Sequence, residues 1–328
     1  MITTLYVYKT ECTDPYRNIA TERTLLESVQ PGSCILYLWQ NKNTVVIGRN
    51  QNAWAECRST LLEQEGGKLA RRLSGGGAVF HDLGNLNFTF IMCQEDYDLD
   101  KQLSVIETAC SYAGITVERS GRNDLLAEGN KFSGNAFYHA QGRAYHHGTL
   151  LVSADMEKLG RYLTPSKAKL QAKGVASVRS RVINLQSLAP TLDCNILADH
   201  MTQAFSQVYG HAPETFSLSP AQHTKIEQYA QELSSWQWLY GPKLPFTAEC
   251  SARFTWGEIH LQLQAESGCI QAVQIYSDAM QWDLADTLNQ ALTGCKINFN
   301  AIQCALHKAI NDPIIRQDLL DLVEQQIL

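Results

Sequence analysis

Between Arg71 and Phe90 the chain reads Arg-Arg-Leu-Ser-Gly-Gly-Gly-Ala-Val-Phe-His-Asp-Leu-Gly-Asn-Leu-Asn-Phe-Thr-Phe. Two guanidinium groups stand immediately before Gly75-Gly76-Gly77, and an apolar run leads through His81-Asp82 into an alternating strand. A triple glycine costs backbone entropy on folding and packs no side chain, so it needs a compensating role. Successive bare amides can cradle phosphate oxygens. Arginines beside them add forked, charge-assisted hydrogen bonds to the same oxygens. The competing reading is a flexible hairpin with two solvated arginines; the arginines before the glycines and the His-Asp after them favour an anion site. No strand–GxxxxGK[ST]–helix pattern is present, which excludes a P-loop of the usual kind.

A second cluster begins at Arg122-Asn123-Asp124-Leu125-Leu126 and continues, after Glu128-Gly129-Asn130, with Lys131-Phe132-Ser133-Gly134-Asn135-Ala136. The spacing suggests a hairpin in which 124–127 pairs with 131–137, bringing the Asp124 carboxylate and the Lys131 ammonium to one sheet edge. A lone carboxylate of this kind suits Mg²⁺, which takes one or two carboxylates plus phosphate oxygens. The ammonium suits a carboxylate or phosphate. A surface hairpin with unrelated charges fits the spacing equally well. Farther on, Tyr145-His146-His147-Gly148-Thr149-Leu150-Leu151 sets two histidines side by side. Adjacent strand residues point to opposite faces, so both cannot ligate one metal. No thiolate or third histidine lies at a zinc spacing. One histidine facing a ligand cavity, with Gly148 allowing close approach, is the better reading. GxSxG is missing, so a serine hydrolase has no support.

Elements must bring these groups together. A strand over Ile2–Tyr8 precedes a helix capped by Asp14 with Pro15 in its first turn, burying Ile19, Leu26 and Val29. Cys34–Trp39 and Thr44–Ile47, separated by Gln40–Asn43, read as a hairpin and predict a largely antiparallel sheet. Gln51–Gln64 is predicted helical, Lys68–Arg72 a strand, Asn87–Met92 a strand and Asp100–Ala113 a helix. Further helices are expected over Asp155–Leu163, Pro165–Ala172, Asp193–Tyr209 and Ala221–Ser234. The Pro- and Gly-rich stretch Gly241–Pro245 reads as an interdomain linker. Three short strands and three helices then complete the chain, the last with Ile315, Leu319, Leu322, Val323 and Ile327 in one apolar stripe.

The length of 328 residues accommodates a large domain and a smaller one, or two of moderate size. An apolar share of 45% with 18% charged residues describes an ordinary globular chain. A formal charge of −6 argues against nucleic-acid binding. The ten cysteines are scattered without a CxxC pair, and the opening lacks a basic-then-apolar signal. Together these predict reduced thiols in a cytoplasmic protein. No apolar run approaches the roughly 20 residues needed to cross a bilayer, so no membrane partner is expected.

The quoted motifs, with Lys-Gly-Val-Ala-Ser-Val-Arg-Ser-Arg-Val from Lys173 to Val182 and Arg-Phe-Thr-Trp-Gly from Arg253 to Gly257, resemble the lipoate–protein ligase A family over nearly the whole chain. The Asn-Asp-Leu and Lys-x-x-Gly pieces are also similar to biotin–protein ligases. The resemblance implies an α+β fold of the biotin–protein ligase/class II synthetase type. A mostly antiparallel catalytic domain would occupy residues 1–243, and a small α/β C-terminal domain residues 246–328. It implies two steps: lipoate and Mg-ATP give lipoyl-adenylate and pyrophosphate, and an acceptor lysine then attacks the mixed anhydride and releases AMP. ATP, Mg²⁺ and lipoate would be substrates or co-substrates, with no permanently bound cofactor. The acceptors would be lipoyl domains of 2-oxo acid dehydrogenase E2 subunits and the glycine cleavage H protein.

By the same resemblance, Arg72 would bind ATP phosphate, with Gly77, Ala78, Val79 and Phe80 lining the nucleotide. Lys131 would touch both the lipoate carboxylate and the α-phosphate as the catalytic lysine. Gly76, His81, Trp39 and His147 would line the lipoate site, and Asp124 would contact the metal. A rival within the fold is an octanoyltransferase with a cysteine nucleophile, which needs an activated thiol. No cysteine falls between Cys110 and Cys194, the stretch that holds Lys131. A rival of another class is a catalytically silent lipoyl-domain binder, which intact Arg72, Lys131 and glycine loop argue against. Ser166–Val182 carries Lys167, Lys169, Lys173, Arg179 and Arg181 without an acidic residue. It is expected either to be a solvated face or to close over the adenylate and steer an acidic acceptor.

Overall fold

Asp14 sets the first helix by accepting hydrogen bonds from the Tyr16 and Arg17 amides at 3.0 and 3.1 Å. In this computed structural model, residues 2–121, 123–163, 182–241, 248–266 and 268–327 are described. The expected helix at Pro165–Ala172, the basic residues Lys167 to Arg181 and most of the 241–245 linker lie outside the described residues.

In chain order the elements begin with β1 (Thr4–Lys9), α1 (Pro15–Ser28), β2 (Ser33–Trp39) and β3 (Thr44–Ile47). Two short helices follow, α2 (Ala53–Glu56) and α3 (Ser59–Gln64), where one was expected. The break has a local cause: Cys57 bridges Leu163, and the Arg58 amide donates to Tyr162 O at 3.0 Å. Next come β4 (Lys68–Arg71), β5 (Val79–His81), β6 (Asn85–Cys93), α4 (Leu99–Ser111), β7 (Glu118–Ser120), β8 (Asp124–Ala127), β9 (Asn130–Ala140), β10 (Arg143–Leu151) and α5 (Met156–Tyr162). Beyond the undescribed 164–181 stretch lie α6 (Cys194–Tyr209), β11 (Glu214–Thr215), α7 (Pro220–Ser234) and α8 (Trp236–Tyr240). Asp193 caps α6, Gly210 ends it at φ 78°, and Ser219 with Gln222 forms a capping box on α7.

The chain divides into two compact units. The larger comprises residues 1–46, 57–71 and 79–239. Its main sheet runs in the order β11-β1-β2-β6-β10-β9-β8-β7. β1 is parallel to β2 and β11; the other pairings are antiparallel. The expected hairpin between β2 and β3 does not form. β2 is buried along its length with its edges taken by β1 and β6, while β3 lies between β4 and β5 in a separate sheet. The connection is drawn aside by buried Asn18, whose Nδ2 donates to Gln40 O and Asn41 Oδ1 at 2.9 and 3.0 Å. One face of the main sheet packs α4 and α6 around Phe88, Phe90, Ile106 and Phe205, and the other packs α1 and α7 around Ile19, Leu25, Tyr37 and Ile226.

The second unit comprises residues 47–56, 72–78 and 240–328. It holds an antiparallel sheet of β12 (Ala248–Phe254), β13 (Gly257–Glu266) and β14 (Cys269–Ser277) with α9 (Leu284–Leu292), α10 (Phe299–Ala309) and α11 (Pro313–Gln326). The expected stripe on α11 is buried at Ile315, Leu319, Leu322 and Val323. All ten cysteines are free. Among the described residues no helix is long and apolar enough to cross a membrane.

The turn entering β6 is held by one glycine. Gly84 O accepts from the Val152 and Ser153 amides at 3.0 and 2.9 Å, and a Cβ here would lie 2.2 Å from Ser153 O. Gly84→Ala should therefore destabilise the larger unit by about 1–3 kcal/mol, the usual range for overpacking. Urea unfolding checks this; an unchanged midpoint would show that the turn yields.

Candidate active site

The turn between β8 and β9 is built from Glu128 at φ 49° and Gly129 at φ 73°, conformations that a tight hairpin requires. It registers Leu126 against Lys131 and Asp124 against Gly134. Lys131 Nζ then meets Asp124 Oδ1 at 2.6 Å, with about a third of each side chain exposed. A half-exposed pair of this kind contributes little to stability, so its value lies in where it holds the charge. The Lys131 backbone is fixed on its other side by a bridge to Val182 and by the Ile183 amide donating to Lys131 O at 2.9 Å. Gly134 explains the Lys-x-x-Gly spacing: a Cβ there would sit 3.0 Å from Lys131 Nζ and 3.2 Å from Cε. The glycine leaves the ammonium its place.

The two histidines of β10 do face opposite ways. His146 points among Phe88, Phe90 and Phe137. His147 Nδ1 lies 2.8 Å from Glu22 Oε1. That oxygen also accepts from Thr89 Oγ1 at 2.8 Å, and Thr89 Oγ1 accepts from Trp39 Nε1 at 3.2 Å. His81 stands edge-on to Trp39 at 6.1 Å between ring centroids, with Nδ1 3.2 Å from Asn41 Nδ2. Trp39 and His147 therefore belong to one buried polar network centred on Glu22 and Thr89, and His81 packs against its indole. Sequence reasoning missed both centres. Glu22 is completely buried in α1, and the available signal was its spacing of three from Ile19 and four from Leu26 on the apolar stripe. Its Oε2 has no hydrogen-bond partner among the described residues.

The glycine loop is folded onto its own groups. It belongs to the second unit, where Arg72 is buried and turned onto its own loop. Its Nη2 donates to Gly75 O and Gly77 O at 2.7 and 2.8 Å, and its Nε to Ser74 Oγ at 3.0 Å. The Gly76 amide, at φ 90°, donates to Ala279 O at 2.9 Å. A Cβ on Gly75 would lie 2.4 Å from Ala279 O and 2.6 Å from Met280 O. Gly75 is thus required by the close approach of the chain's own backbone, and Gly76 by its positive φ. Arg71 does not share the site: its Nε donates to Trp238 O at 2.9 Å, and Trp238 Nε1 returns a bond to Arg71 O at 3.0 Å. Ala78 closes the loop, while Val79 pairs with Val46 and Phe80 packs on Tyr162 at 5.4 Å in the larger unit.

Among the described residues no group of three or more His, Cys, Asp or Glu is placed to hold a metal. Asp124 by itself fits Mg²⁺ that draws its remaining ligands from phosphate and water. The thiols fit a nucleophile poorly. Burial pushes Cys57, Cys110 and Cys194 up to about 12 and raises Cys34 and Cys93 as well. A thiol nucleophile needs the opposite shift.

Residues 14–206 match the family model for the lipoyl protein ligase A/B catalytic domain, and 243–324 match that for the bacterial lipoate protein ligase C-terminus. A lipoate-protein ligase A of Psychrobacter cryohalolentis is 42% identical over 307 residues, covering 91% of each chain. The solved structure of P. falciparum LipL1 in complex with lipoate is 26% identical with a TM-score of 0.87, covering 98% of this chain and 100% of that one. A bi-partite lipoate protein ligase from Thermoplasma acidophilum, solved in a study with its E2 lipoyl domain, shares the fold at 23% identity and a TM-score of 0.66, covering 75% of this chain and 99% of that one.

Burial depresses His146 to about 3, so it is neutral in the folded protein at pH 7. An unfolded histidine titrates near 6.5 and binds more protons between these values, so the stability His146 contributes falls as pH drops below about 6.5. The expected slope is about 1.4 kcal/mol per pH unit from this group. Denaturant unfolding at pH 7 and pH 5 checks it: His146→Gln should lose less stability on acidification than the parent protein.

Proposed function

The chain belongs to the lipoate–protein ligase A family, and on that premise we propose how its residues divide the family's two-step reaction. It is an ATP-dependent lipoate ligase that forms lipoyl-adenylate and passes the lipoyl group to a lysine of a protein acceptor. Residues 1–243 form the catalytic domain and 246–328 the accessory domain.

The observation that carries the assignment is the Lys131 ammonium, seated over Gly134 and pinned to Asp124 at a hairpin edge. Joining a carboxylate to an α-phosphate brings two anions together, and a fixed cation offsets their repulsion without reorganising at the moment of reaction. Lys131 contacts the lipoate carboxylate and the α-phosphate. Arg72 exchanges its contacts with Gly75 O and Gly77 O for phosphate oxygens, with Gly77, Ala78, Val79 and Phe80 beside the nucleotide. Asp124 would hold Mg²⁺, which neutralises phosphate charge when bound. No protein nucleophile is needed, because positioning supplies the rest.

Lipoate is an apolar C8 acid. Burying its chain against Trp39, with Gly76, His81 and His147 completing the site, contributes roughly 0.8 kcal/mol per CH₂. Acceptors are lipoyl domains, as the partner of the Thermoplasma ligase supports; E2 subunits of 2-oxo acid dehydrogenases and the glycine cleavage H protein are the forms we assign. Ten free thiols suit a reducing, cytoplasmic compartment.

Lipoate-dependent ATP–pyrophosphate exchange tests this reading. Lys131→Ala should lower the exchange rate about 10²–10³-fold, as loss of one preorganised charge-stabilising donor does elsewhere. Near-normal exchange by that variant would remove Lys131 from the chemistry.

A further inference from the structure

His146 takes no part in the reaction as assigned, yet it is a fully buried polar side chain in an aromatic surround. Its ring lies 5.2 Å from Phe88, 5.9 Å from Phe90 and 5.2 Å from Phe137 between centroids. Its Nε2 is 2.8 Å from Asn135 Oδ1, and its Nδ1 is 3.0 Å from Gln102 Oε1. Three polar side chains in one apolar layer are costly to bury unless each is satisfied, and an aliphatic residue would fill this space more cheaply. The arrangement serves something other than packing.

Both ring nitrogens face amide oxygens, so a neutral ring donates to only one of them, and the better-anchored oxygen decides which. A neutral imidazole has one N–H. Asn135 Nδ2 donates to Asn123 O at 3.0 Å, so Asn135 Oδ1 is the atom turned to the ring and must accept. Nε2 therefore carries the proton. Nδ1 faces Oε1 of Gln102, whose own Nε2 donates to the Met92 sulfur at 3.2 Å, a weaker anchor than the carbonyl that holds Asn135. Asn135 in turn binds Asn123 at three points: besides the bond just named, the Asn135 amide donates to Asn123 O and Asn123 Nδ2 donates to Asn135 O, each at 2.9 Å. Asn123 immediately precedes Asp124. Gly148 keeps the gap open, since a Cβ there would lie 2.8 Å from Gly134 O and 2.9 Å from Asn135 Oδ1.

We propose that His146 is a positioning residue for the Lys131–Asp124 pair: its Nε2–H locks Asn135, which holds Asn123 and so fixes the strand from which Asp124 reaches Lys131. This rests on the reading of Lys131 as the catalytic lysine. It makes the second histidine of the pair, His147, a lining residue and the first a part of the scaffold behind the hairpin.

The test compares His146→Leu, His146→Gln and Asn135→Ala in the full-length chain by lipoate-dependent pyrophosphate exchange, lipoate affinity by calorimetry, and thermal midpoint. His146→Leu should lower the exchange kcat roughly 10- to 100-fold, the scale of a misplacement near 1 Å, with lipoate affinity unchanged within about twofold. His146→Gln, which retains an N–H donor, should recover most of the loss. Combining His146→Leu with Asn135→Ala should cost no more than Asn135→Ala alone, because coupled residues are not additive. Equal impairment in Gln and Leu, affinity falling in step with kcat, or additive losses would each overturn the proposal. Should His146→Leu not fold, the Gln variant and its combination with Asn135→Ala carry the same comparison. Lys131→Ala is run in parallel. An active Lys131→Ala sinks the underlying assignment, whereas an inactive Lys131→Ala beside a fully active His146→Leu sinks this proposal alone.

Discussion

The Lys131 ammonium, the group proposed to meet incoming anions, has to be held at a sheet edge without being lost to solvent, and several elements of the larger unit do this. Lys131 is held by the β8–β9 turn, by the carboxylate 2.6 Å away, and by its backbone bond to Ile183. Its head group occupies the volume that a side chain at residue 134 would fill. Behind it, β9 lies against β10, and their contact at Gly148 is too close for any Cβ. A pair this exposed does not stabilise the fold appreciably. The fold stabilises the pair.

The sheet face that carries Gly134, Ala136 and His147 supports a second kind of order. Glu22, Thr89, Trp39 and His147 form a chain of hydrogen bonds in a region otherwise closed to water. A buried carboxylate is tolerable only with donors around it, and here the imidazole and the threonine hydroxyl provide them. The network also holds the indole and the imidazole in one orientation. Polar groups that would be liabilities in a packed core become the means by which large side chains hold one orientation.

The glycine loop illustrates a different economy. Gly75 allows the Ala279 and Met280 backbone to approach within contact that any Cβ would forbid. Arg72, meanwhile, satisfies the loop's carbonyls with its own guanidinium. A loop whose donors and acceptors are matched internally can exist without ligand and still exchange those bonds for phosphate oxygens. On the role proposed for Arg72, its N–H groups would stay satisfied in that exchange, while Gly75 O and Gly77 O would need new donors, because phosphate oxygens only accept.

Much was legible in the chain itself. The cap at Asp14 marked a helix start, because an Asx oxygen satisfies amides only a few residues away. The β8–β9 hairpin and its Lys-Asp pairing followed from short spacing and a turn that needs positive φ. The opposed directions of His146 and His147 followed from strand alternation. These are local consequences of backbone geometry. What tertiary structure decided was long-range. It parted β2 from β3 through buried Asn18, it gave the glycines Ala279 as their neighbour some two hundred residues away, and it assigned Arg71 to Trp238 and Arg72 to the loop. It also placed Glu22 beside His147. No local pattern encodes these pairings, because each depends on which distant backbone happens to fill the space beside it once the sheets have formed.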